Sequence, residues 1–108
     1  MQKVVDIIDA EAEKYFEHIV QYKLSNDFQL LDIVKSEIGN VRVKAEILYR
    51  KNHLHIIKLV KRQEEFYWEL FPYNGDVYFS VAFHPDTFEV ILQAIEEHCD
   101  IHLKRLYS

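Results

Sequence analysis

The sequence predicts an α+β domain with an antiparallel β-meander at its centre. Three observations carry that expectation. Hydrophobic period changes from helical to alternating at Val41, an Asn74-Gly75 pair lies between two aromatic-rich alternating runs, and helical period returns after Pro85. Consecutive strands joined by short turns pair antiparallel. The expected fold is a four-stranded meander with two N-terminal helices and one C-terminal helix packed on one face. A fifth strand is possible at the C-terminus.

The first helix is read from Val4, Ile8, Ala12, Tyr15, Ile19 and Tyr22, which recur at steps of three and four. Asp6, Asp9, Glu13 and Glu17 make a second row at helical steps. Like charges one turn apart repel mildly, so this row prefers water or a basic neighbour. Ser25-Asn26-Asp27 ends the helix and offers caps for a second one, with Asn26 and Gln29 at capping-box spacing. Leu31, Val34 and Ile38 supply its apolar stripe and Gly39 its stop. An alternating strand from Phe28 to Lys35 is the rival reading. Adjacent Leu30-Leu31 and Ile33-Val34 break its alternation.

Val41, Val43, Ala45, Ile47 and Tyr49 alternate with Arg42, Lys44, Glu46, Leu48 and Arg50, as in a half-buried strand. Lys51-Asn52 is a plausible turn. Leu54–Val60 is apolar on both sides, which suits a central strand of open register. Asn-Gly favours a type I′ turn because both residues tolerate positive φ. A turn at Asn74-Gly75 pairs Leu70 with Phe79 and Trp68 with Val81. It puts Phe66, Trp68, Leu70, Val77, Phe79, Val81 and Phe83 inside and Tyr67, Glu69, Phe71, Tyr78, Ser80 and Ala82 outside. Asp86 and Glu89 have capping-box spacing before a last helix with stripe Phe88, Ile91, Leu92, Ile95 and Cys99. For residues 100–108, Ile101, Leu103 and Tyr107 suit a strand, whereas Leu103 and Leu106 suit continued helix.

Length and composition set bounds. At 108 residues, 49% of them hydrophobic, residues 1–108 make one domain. A net charge of −5 beside 14% aromatics excludes disorder. One cysteine rules out an intrachain disulfide, and together with the absence of a signal-like or membrane-length apolar run it points to a cytoplasmic protein with no membrane partner.

Motifs for chemistry are sparse. His98 and His102 would share a helix face with Cys99 between them, and His53 and His55 would share a strand face. A solvated helix end and hairpin end account for both pairs, and Cys99 suits an inert core position. Neither nucleophile contexts nor phosphate-binding glycine loops appear. The reading is therefore no enzyme, no metal and no cofactor.

Charge is unevenly spread: residues 41–62 carry net +6, with −4 before them and −7 after. The basic stretch 41–62 with outer-face aromatics could hold single-stranded nucleic acid, but the acidic whole opposes a polyanion. A ligand pocket between sheet and helices, lined by Trp68 and Phe79, is a further reading. An acidic helix row and a basic hairpin are also complementary, either within the fold or between molecules. The leading expectation is a non-enzymatic protein-interaction or regulatory module, a homodimer or adaptor. It would bind through Tyr67, Phe71 and Tyr78, with Arg42, Lys44 and Arg50 giving charge selectivity.

Overall fold

The computed structural model describes residues 2–36, 38–72 and 77–107, with side chains described for 9–36, 38–72 and 77–99. The elements run α1 (Gln2–Tyr22), β1 (Phe28–Lys35), β2 (Val41–Tyr49), β3 (His53–Arg62), β4 (Glu65–Pro72) and β5 (Phe79–Ala82). A 3-10 turn, Pro85–Thr87, then leads into α2 (Phe88–Tyr107). The strands form one antiparallel sheet in chain order, β1-β2-β3-β4-β5. The class is α+β as the pattern predicts, with five strands and two α-helices among the described residues.

The expected second N-terminal helix is strand β1. Its register explains why alternation fails there. Leu30 pairs with Ile47 and Asp32 with Glu46, so Leu31 is an extra residue in a β-bulge. A bulge adds one residue to the count and shifts the alternation by one. Leu30 and Ile33 therefore both reach the core, three positions apart, in a strand that mimics a helical step. Of the two readings left open for the C-terminal residues, strand or continued helix, the helix holds: α2 continues through Tyr107.

The β4–β5 register is the one that an Asn74-Gly75 turn dictates, Leu70 with Phe79 and Trp68 with Val81. The turn itself lies outside the described residues. Val77, expected inside, lies beyond β5 and is 45% exposed. Between β3 and β4 a two-residue turn places Gln63 at φ 51° and Glu64 at φ 68°. That is the geometry Asn-Gly adopts cheaply, here imposed on two side chains that resist it.

One face of the sheet is the core. Val43, Ala45, Ile47 and Tyr49 from β2, Ile57 and Leu59 from β3, and Trp68 and Leu70 from β4 are all buried. Ala12, Phe16, Ile19 and Val20 of α1 pack on them, as do Phe88, Ile91, Ala94, Ile95 and Cys99 of α2. Trp68 is the centre: the rings of Phe16, Phe83 and Phe88 lie 4.7–5.3 Å from its own. Fully burying a side chain of this size contributes about 2–3 kcal/mol.

Burial of an indole N–H requires an acceptor. Trp68 Nε1 donates to Thr87 Oγ1 at 3.0 Å. The same hydroxyl accepts from the His84 N–H at 3.1 Å and sits 2.7 Å from Ala82 O, to which it donates. Thr87 thus closes the 3-10 turn ahead of α2 and ties it to the end of β5.

Candidate functional site

The acidic row of α1 and the basic hairpin meet inside the molecule. Asp9 accepts from Lys61 Nζ at 2.9 Å and lies 3.3 Å from Arg42 Nη2. Glu13 also meets Arg42 at 3.3 Å, and Lys35 more loosely at 3.9 Å. Asp9 is only 6% exposed. A carboxylate so buried needs partners, and two cations supply them. The hydrogen bond that it donates to Asp9 holds the Lys61 ammonium above its ordinary pKa.

A second bulge makes this possible. Val41 pairs with Val60 but Val43 with Leu59, so Arg42 is the extra residue on β2. Strict alternation puts Arg42 on the outer face with Lys44 and Arg50. The bulge turns it onto the helix side instead. Arg42 is a clamp for α1, and Arg50 lies in the β2–β3 turn at φ 50° with its guanidinium over the Tyr49 ring. Lys44 keeps its expected place.

Both helices cover the same face, and no helix among the described residues lies against the other. Cross-strand rows define that open face. Val34, Lys44, Lys58, Glu69 and Ser80 form one row, and Asp32, Glu46, Ile56 and Phe71 the next. Leu48 faces Leu54, and Tyr67 lies between Val60 and Ala82. The Lys58 ammonium sits 4.1 Å from the centre of the Phe71 ring. Arg62 pairs with Glu69, which is 4% exposed despite lying on the open side. Tyr67 donates to Glu65 Oε2 at 2.8 Å, which raises the pKa of the phenol.

Of the three aromatics expected on this face, Tyr67 and Phe71 are there. Tyr78 is not: its ring lies 4.7 Å from that of His98 on α2, edge to face, on the helix side. It precedes β5, so strand alternation does not govern it.

The Tyr78–His98 contact borders a group that no sequence spacing reveals. His55 on β3 faces His98 and Cys99 on α2. One donor atom from each lies within 4.8 Å of the others. The His55 and His98 rings are edge to face at 5.5 Å. His55 is 2% exposed. Burial strips water from it and lowers its pKa to about 4. Its Nδ1 is 3.3 Å from His53 O, and its Nε2 is buried with no hydrogen-bond partner among the described residues. A cleft of about 440 Å³ opens beside the three, with Asn52, Leu54 and Pro72 on its walls. The sequence pairs His98 with His102 and His53 with His55. The fold pairs across those sets, because β3 and α2 are adjacent only in space.

Comparison with known protein families, with curated proteins and with solved structures finds no match.

Proposed function

We propose that this chain is a non-enzymatic interaction module that self-associates through the open face of its sheet. The observation that carries this is the one-sided placement of α1 and α2, which leaves Leu48, Leu54, Ile56 and Phe71 as an apolar patch, with Tyr67 beyond the charged row of Lys58 and Glu69. Contiguous apolar surface framed by polar groups is characteristic of docking sites.

Charge selects the occupant. The rows of the open face carry Lys44, Lys58 and Arg62 against Asp32, Glu46, Glu65 and Glu69. Three cations against four carboxylates is near balance, unlike the chain as a whole. A second copy, related by a two-fold axis, presents the same near-neutral mixture and is not repelled. A nucleic acid would meet the four carboxylates. Two of the cations that favoured it, Arg42 and Lys61, are engaged by Asp9 and Glu13.

Size sets the strength. Five strands about 4.8 Å apart and about eight residues long span a footprint of roughly 500–600 Å². That is below the ~800 Å² per partner of a standard stable interface. The expected complex is weak and concentration-dependent, in the micromolar range.

Analytical ultracentrifugation across roughly 1–500 μM tests this, with the range set by that footprint. The wild-type chain is expected to shift from monomer to dimer. Ile56→Arg with Phe71→Arg puts two charges at the centre of the face and should hold it monomeric, with an unchanged far-UV spectrum. A wild-type chain that stays monomeric throughout overturns the proposal.

A further inference from the structure

We propose that His55, His98 and Cys99 form a binding site for a thiophilic divalent cation of the zinc type, which pins α2 to the start of β3. This inference is independent of self-association, since the three residues lie on the helix-covered side of the sheet.

The donor chemistry fits. Two imidazole nitrogens and one thiolate are the mixed N/S set that zinc takes, and three protein ligands leave a fourth position open. The cleft that His55, His98 and Cys99 line has room for water or a small anion as the fourth ligand.

The orientation of His55 also fits. A ligating histidine usually gives its other ring N–H to a carbonyl, which fixes the tautomer and aims the lone pair at the metal. His55 Nδ1 lies at 3.3 Å from the carbonyl of His53, two residues earlier on the same strand. That contact puts the proton on Nδ1 and the lone pair on Nε2. Nε2 is buried and meets no donor among the described residues. An acceptor left bare in a core costs about 1–3 kcal/mol, and a cation removes that cost.

The distances require a modest closure. Ligand atoms around a tetrahedral zinc are about 3.3–3.8 Å apart, given bonds of about 2.0–2.3 Å. The donors here lie within 4.8 Å of one another. Binding therefore needs the three side chains to close in by about 1 Å. The bond formed at sulfur is thiolate to metal, and the thiol proton leaves to solvent.

The test uses the full chain, reduced and stripped with EDTA, titrated with Co²⁺ and then Zn²⁺. The expected result is a sulfur-to-cobalt charge-transfer band in the near ultraviolet with strong visible bands of tetrahedral cobalt. Both should saturate at one ion per chain and bleach on adding Zn²⁺. As the chain has a single cysteine, that band can only come from Cys99. Cys99→Ser should abolish it and weaken Zn²⁺ binding about 100-fold or more, with an unchanged far-UV spectrum in EDTA. His55→Gln should weaken Zn²⁺ binding at least about tenfold, and His84→Gln should leave it intact. If His55→Gln fails to fold, Cys99→Ser carries the decision. A wild-type chain that shows no thiolate band at millimolar Co²⁺ overturns the proposal. So does cobalt bound with only the weak spectrum of octahedral surface-histidine coordination.

Discussion

The clamp between α1 and the sheet makes a quantitative prediction. Asp9 and Lys61 are separated by 52 positions in sequence, yet meet at 2.9 Å with side chains only 8% and 17% exposed. At that distance and an effective dielectric of about 20, the gross attraction is roughly 6 kcal/mol. Desolvation of both groups cancels much of it. Charge-assisted hydrogen bonds in such settings retain about 1.5–3 kcal/mol. Asp9→Asn and Lys61→Met, alone and together, form a double-mutant cycle. A coupling of about 2 kcal/mol is expected, and Asp9→Asn alone should lower stability by about 2–3 kcal/mol because Arg42 loses a partner too. For a chain of this size, each kcal/mol lost lowers Tm by about 4–8 °C. Urea unfolding followed by tryptophan fluorescence is the assay, since the one tryptophan is 0% exposed and touches Phe16 of α1. The coupling should survive 1 M NaCl, which screens exposed pairs strongly and buried ones weakly. A coupling below about 0.5 kcal/mol would place the pair among ordinary surface contacts. The basic stretch would then be free again, and the case against a polyanionic partner would lose its main support.

Three further outcomes are expected. Replacing Gln63-Glu64 by Asn-Gly should raise stability by about 1–2 kcal/mol in denaturant titrations, because both positions hold positive φ without glycine or asparagine; loss of the exposed Lys61–Glu64 pair offsets only a few tenths. Thr87→Val should cost about 1–3 kcal/mol in the same assay, as it removes the acceptor for both the His84 N–H of the 3-10 turn and the Trp68 N–H. Finally, metal-free protein should weaken in mild acid. His55 takes a proton near pH 6.5 when unfolded and only near pH 4 when folded. Its contribution is fully present above pH 6.5 and is lost as pH falls towards 4, by at most about 3 kcal/mol. His55→Leu should flatten that part of the stability–pH curve in EDTA, and an unchanged slope would count against burial as the cause.

The β4–β5 register was legible in the sequence. Turn type and alternation both act over a few neighbouring residues, and both select Leu70 opposite Phe79. The inward faces of β4 and of β2 from Val43 to Tyr49 were legible for the same reason, whereas Val41, read as inward, pairs with Val60 on the open side. The bulges were not. At Leu31 an extra residue turns a strand into an apparent helical stripe, and at Arg42 another redirects a cation. A bulge is decided by what the neighbouring strand and helix accept, so no local pattern announces it. The row Asp9–Glu13 and the basic hairpin were visible as complementary charges, but whether they close within one chain or between two depends on where α1 lies.

Local physics therefore determined the class of this protein, its meander and most of its buried stripe, because propensity, turn chemistry and period operate within a turn or a strand. Tertiary structure alone decided which sheet face stays open, which charges are engaged, and that His55 meets His98 and Cys99. Those outcomes hang on contacts between residues far apart in sequence, 29 positions for Glu13–Arg42 and 52 for Asp9–Lys61, whose proximity exists only once the helices have packed.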